Sequence, residues 1–189
     1  MNKKTIETKK LVYLAVLTAI ICVLQWVTSP TKGFLPVSIT LSLVPIAIGA
    51  ALVGKWSGAW LGAVFSIMVL VTGDAAGFLT INPLGTVVTV LLKGTLAGLC
   101  SGLVYSLIEK KNRYVAIFAA ALTAPIVNSA VFVLGCYLFF FDFVAGLAGG
   151  TNIFPYIITF FVGINILIEV LVNIVLVPTV YRIVNIKKA

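Results

Sequence analysis

The residues that could do chemistry in this sequence are few, and they sit inside long apolar runs; Lys93 is foremost among them. The segment from Asn82 to Tyr105 is long and apolar enough to cross a bilayer. At about 1.5 Å of rise per residue, Lys93 lies roughly 16 Å from Asn82 and about as far from the charged cluster that begins at Glu109. That depth is near the midplane of a ~30 Å hydrocarbon core, where the ammonium cannot easily reach water at either end. A charge there is costly unless a partner, a ligand or a wet cavity receives it, so Lys93 is a candidate to hold an anionic group. The alternative is a lysine neutralised by a neighbouring carboxylate for structural reasons alone.

Three further polar residues, Asn128, Asn165 and Glu169, fall at similar depth. Asn165, Glu169 and Asn173 recur every four residues and share one face of the last apolar span, and Asn128 interrupts the span before it. Lys93, Asn128, Asn165 and Glu169 are therefore expected to converge mid-membrane, with Asn82 and Asn152 completing the candidate substrate-binding set from the opposite ends of their spans. Asparagines at such positions also serve as interhelical glue, worth ~0.6 to 2 kcal/mol each. Lys93 and Glu169 could pair directly in the empty state, a ligand carboxylate then competing for the lysine.

The elements that must position these residues are transmembrane helices. With 189 residues, 61% hydrophobic and only 10% charged, the chain has too little polar surface for a soluble globule and is read as an all-α, polytopic protein embedded in membrane lipid. Six spans are expected: Leu11 to Thr28; a short or kinked one with Pro45 inside, ending at Val53; one from the Gly54–Lys55 turn to about Thr72; the Lys93 span; about Tyr114 to Phe141; and about Tyr156 to Val184. Gly73 to Asn82 and Asp142 to Pro155 read as loops. Gly54, Gly58, Gly62 and Ser66 form one ridge and Gly94, Gly98 and Gly102 another, each suited to close helix contact, and Ala15 and Ala19 make a smaller stripe. A single domain over residues 1–189 is expected.

Charge sets the topology. The net charge of +8 does not point to nucleic acid, because the cations sit at the ends of apolar spans. Apart from Lys32 and Lys93, every Lys and Arg lies in the termini, the Gly54–Lys55 turn or the Glu109–Arg113 loop, whereas Asp74 and Asp142 lie in the opposite loops. Both termini are therefore expected in the cytoplasm. Cys22, Cys100 and Cys136 lie in apolar runs with no CxxC spacing, and the sequence holds no histidine. Neither a metal site nor a cofactor is indicated, nor is a nucleophile and base pair for catalysis, which leaves an enzyme the weakest class. No phosphate-binding loop is present, so energy for transport would come from a partner or an ion gradient.

The Ala15-x-x-x-Ala19 stripe, the run SITLSLVPIAIGAALVGKWSGAWLG from Ser38 to Gly62, and NPLGTVVTVLLKGTLAG from Asn82 to Gly98 resemble the substrate-binding S components of energy-coupling factor (ECF) vitamin transporters. The resemblance covers nearly the whole chain. It implies a high-affinity binding subunit for a vitamin or related micronutrient, docking on a transmembrane T component driven by two ATP-binding-cassette ATPases, with Ala15 and Ala19 on the docking helix. A self-sufficient ion-coupled secondary transporter, using Lys93 and Glu169 for coupling, is the competing expectation. Lys93 favours an anionic ligand, pantothenate slightly preferred, and Trp26, Phe34, Phe78 and Phe154 could cover its apolar part.

Overall fold

The computed structural model describes residues 3–29, 41–149 and 152–186. Among them there are helices and turns and no strand. Lys32, Phe34 and Thr151 lie outside the described residues, and so does the side chain of Asn165, whose backbone belongs to the last helix.

Helix α1 (Lys3–Thr28) starts eight residues before the apolar run does, because Lys and Glu are good helix formers and carry the helix beyond its apolar part. A short α2 (Leu43–Leu52) turns at Gly54, whose φ of 128° is a conformation that disfavours any side chain, into α3 (Lys55–Val71). The one-turn α4 (Ala76–Leu79) precedes α5 (Pro83–Ile108), which carries Lys93. Asn82 caps α5: its side-chain oxygen accepts from the Gly85 N–H at 2.9 Å, and Pro83 takes the first helical position, where no N–H is needed. Asn112 does the same for α6 (Arg113–Phe139), accepting from Tyr114 N–H at 2.9 Å and Val115 N–H at 3.2 Å.

Two stretches read as loops from sequence contain helix. Ala76–Leu79 is α4, and Phe141–Ala148 is α7, inside the glycine-bearing segment after α6. The helix forms there because Val144 and Ala148, four apart, both bury. Helical structure before the last span also begins ahead of Tyr156: α8 (Ile153–Tyr156) leads through a π-helical stretch, Ile157–Gly163, into α9 (Ile164–Ile186).

By length and composition α1, α5, α6 and α9 can each cross a membrane, and a fifth crossing results if α7 and the segment Ile153–Thr159, bent by 86°, count as one. At ~1.5 Å per residue α2 reaches only about 15 Å and α3 about 26 Å, so length alone does not supply all six expected spans. Large apolar side chains stay exposed along these helices, among them Leu11, Val16, Trp26, Leu84, Leu107, Leu134 and Val175. No aqueous surface tolerates that much apolar area, whereas lipid does.

The bundle is built around α5. On one side Gly58 of α3 lies against Gly98, and Gly62 against Gly94, so closely that a methyl on any of the four would strike the opposing backbone carbonyl. The two glycine ridges thus meet each other, antiparallel. On another side α5 runs antiparallel to α6, where Ser101 Oγ donates to the Ala120 carbonyl at 2.8 Å. Ala116, Ala120, Ala124 and Asn128 form the buried stripe of α6. The cores of the two helices farthest from α3 join at the ends nearest the termini, where Arg113 Nη1 donates to Asn185 Oδ1 at 3.0 Å and the rings of Tyr114 and Tyr181 pack edge to face.

Candidate functional site

The capped start of α5 and the glycine contact with α3 fix the helix in depth and rotation, and together they direct Lys93 toward α6. Its Nζ stands 5.4 Å from the centroid of the Phe132 ring, within cation–π range. Phe132 in turn meets Phe78 of α4 edge-on, centroids 5.7 Å apart. Phe78 also packs against Phe140 at 5.0 Å and Phe143 at 6.3 Å. Rings from three elements therefore form a continuous aromatic cap at the end of the bundle away from the termini, with the ammonium beneath it. The same cap includes the buried residues Cys136, Phe140, Val144 and Ile157.

The other candidates divide. Glu169 is 4% exposed on α9, and its backbone carbonyl accepts from Asn173 Nδ2 at 2.7 Å. That bond occupies the Asn173 amide within its own helix. Asn128 is 8% exposed and its Oδ1 has no hydrogen-bond partner. Counted from the helix ends nearest the termini, Lys93, Asn128 and Glu169 lie about 22, 22 and 26 Å along α5, α6 and α9, a common level. Asn82 stands apart, a cap about 16 Å along α5 from Lys93, and Asn152 is exposed just before α8 and caps nothing. Of the aromatics expected to cover a ligand, Phe78 joins the cap; Trp26 and Phe154 are exposed on the outside of the bundle.

Ala15 and Ala19 lie on the exposed side of α1. The stripe of α1 that turns inward is Leu17, Ile21 and Gln25, each four residues from the next and all buried. Gln25 was not legible as a partner from sequence, yet it anchors a polar cluster: Nε2 donates to Asp74 Oδ2, Ser42 Oγ donates to Gln25 Oε1 at 3.3 Å, and Ser29 Oγ donates to Asp74 Oδ1 at 2.6 Å. The signal that could have found it is a lone amide continuing an apolar i, i+4 stripe. This cluster ties α1 to the start of α2 and to the α3–α4 connection.

An apolar exterior around several membrane-crossing helices, enclosing a cation, a carboxylate and an unsatisfied amide, defines a multi-pass protein of the cell membrane with a polar interior site. Residues 9–181 match the family model of the ECF transporter, substrate-specific component, and the chain belongs to that family. Neither a curated protein nor a solved structure matched it. Members of the family are transport subunits that confer substrate specificity on an ECF importer.

Proposed function

We propose that this chain is the high-affinity binding subunit for a small anionic micronutrient, a vitamin or a related compound, held at Lys93 between α5, α6 and α9. The observation that carries the reading is the half-buried ammonium at mid-helix, facing Phe132 under an aromatic cap. A carboxylate would neutralise the cation, and the rings would cover an apolar portion of the ligand. Asn128 and Glu169 complete the wall, Asn165 is proposed with them from its place on α9, and Asn82 and Asn152 lie nearer the mouth. Pantothenate, which has a carboxylate and a compact polar body, is the first ligand to test.

Six crossings, α1, α2, α3, α5, α6 and α9, with both termini in the cytoplasm, agree with the placement of nearly all Lys and Arg residues at one end of the bundle. The mouth of the site then faces outward. Energy comes from a T component and two ATP-binding-cassette ATPases, and α1 docks on the T component through Ala15 and Ala19. Their exposure supports this, since small side chains on an outward face admit close approach by another helix.

The test is the double variant Ala15→Leu/Ala19→Leu. Ligand affinity of the purified subunit should stay within about twofold of wild type, because neither side chain packs inside this chain, while pull-down with the T component and ATP-dependent uptake should fall to background. Intact uptake, or loss of ligand binding along with assembly, would reject the docking role. Uptake by wild type without any partner subunit would favour an ion-coupled transporter instead.

A further inference from the structure

Among the described residues three buried side-chain atoms have no hydrogen-bond partner: Tyr105 Oη near the far end of α5, and Thr89 Oγ1 and Asn128 Oδ1 in the α5–α6 seam, on residues 4% and 8% exposed. The latter two flank Lys93. Thr89 is one turn from it on α5, and Asn128 is one turn from Phe132, whose ring the ammonium faces.

Thr89 contrasts with four other threonines of the chain. Thr28, Thr72, Thr86 and Thr123 each donate to the carbonyl four residues before them, at 2.7 to 2.8 Å, which is the usual way a helical hydroxyl is satisfied in an apolar setting. Thr89 does not. Its side chain fills the notch left by Gly135 of α6, where an added Cβ would lie 2.5 Å from Oγ1. Ser101 reaches across the same seam and finds the Ala120 carbonyl, so the seam can satisfy a hydroxyl where the backbone allows it. The position opposite Thr89 offers only a glycine without a side chain.

Unpaired buried polar groups are uncommon and cost stability, so they mark places where something absent from the chain completes the bonding. The level of Gly135 and that of Asn128 differ by seven residues of α6, about 10 Å. Along that length the seam presents a hydroxyl, an ammonium and an amide oxygen in order. The hydroxyl can donate or accept, but the amide oxygen can only accept.

We infer that Thr89 and Asn128 bind a second, neutral part of the substrate, and that the substrate is a small anion which also carries an N–H or O–H donor for Asn128 Oδ1. The inference rests on the reading of Lys93 as the anion-holding residue. It narrows the substrate class: a simple monoanion with no other donor, such as nicotinate, leaves the Asn128 oxygen unpaired, whereas pantothenate, biotin and folate each offer one. Thr89 and Asn128 are specificity-determining residues, and Gly135 is a positioning residue that gives Thr89 its room.

The experiment dialyses purified wild type and the variants Thr89→Val, Asn128→Leu and Lys93→Ala against an equimolar mixture of pantothenate, biotin, folate, riboflavin and nicotinate, and identifies the retained compound by mass spectrometry. Wild type should retain one of the three donor-bearing anions. Thr89→Val and Asn128→Leu should each bind it roughly 5- to 10-fold more weakly, the loss of about one neutral hydrogen bond. Without ligand, both should melt at or above the wild-type temperature, since an apolar group of similar shape replaces an unpaired polar one. Thr89→Ser should recover affinity.

Wild-type affinity in both variants, or lower affinity that merely follows a lower melting temperature, would overturn the inference while leaving Lys93 in place, provided Lys93→Ala loses the ligand. Retention of nicotinate or riboflavin alone would also overturn it. Wild-type affinity in Lys93→Ala, or a wild type that retains nothing, would bring down the Lys93 reading and this inference with it.

Discussion

The two packed sides of α5 differ in kind. Toward α3, Gly94 and Gly98 meet Gly62 and Gly58 backbone to backbone. Toward α6, Thr89, Lys93 and Ser101 project side chains into a seam where one hydroxyl is satisfied and another is not. In lipid there is no hydrophobic force drawing helices together, so the glycine side supplies association through close van der Waals contact. The polar side could not hold a fixed depth by itself, because unpaired groups in it cost stability. On the proposed reading one helix uses one face as anchor and another as site, the anchor letting the site keep groups that a ligand would complete.

The comparison breaks most readily on the anchor side. Gly98→Leu puts a branched side chain onto the Gly58 carbonyl, which cannot move without shifting α3. A loss of about 3 kcal/mol or more is expected, read as failure to recover monodisperse protein in detergent. A stable, ligand-binding Gly98→Leu would show that the two helices are not locked there. On the site side the same kind of change should be milder. Gly135→Ala meets the Thr89 side chain rather than backbone, and a side chain can rotate. About 1 kcal/mol of stability should be lost, with ligand affinity falling beyond what the melting temperature explains. Equal damage from Gly98→Ala and Gly135→Ala would erase the distinction between the two faces.

The smallest effect concerns the start of the helix that both faces share. Asn82→Ala removes the cap and should cost about 1 kcal/mol in thermal unfolding, and any loss of affinity should not exceed what the lower stability explains. Weaker binding at unchanged stability would make Asn82 a direct contact of the ligand rather than a cap at the mouth of the site.

Much of this arrangement was legible in the sequence. Both glycine ridges and the mid-helix place of Lys93 follow from counting residues along apolar runs, because helical periodicity acts locally. That the two ridges meet each other was not legible, since a four-residue stripe says that a helix approaches and not which one. Val144 and Ala148 set up α7 by a pairing too short to stand out among the surrounding glycines. Counting also puts Thr89 on the face of Lys93, but that its hydroxyl goes unpaired was hidden for a different reason: threonines in helices usually satisfy themselves, and only the empty position at Gly135 on a distant segment removes that expectation. Gln25 was hidden likewise, because Asp74 is far from it in sequence.

The central claim is that the ammonium of Lys93 holds the substrate's anionic group. Equilibrium binding of the compound retained by wild type, measured on Lys93→Ala and Lys93→Arg beside it, tests that claim most directly. Lys93→Ala should remain folded and lose at least about 100-fold in affinity, as expected when a buried charged partner is removed, and Lys93→Arg should recover little, because a planar guanidinium does not replace a compact ammonium in a fitted site. Affinity within a few-fold of wild type in a folded Lys93→Ala would contradict the account.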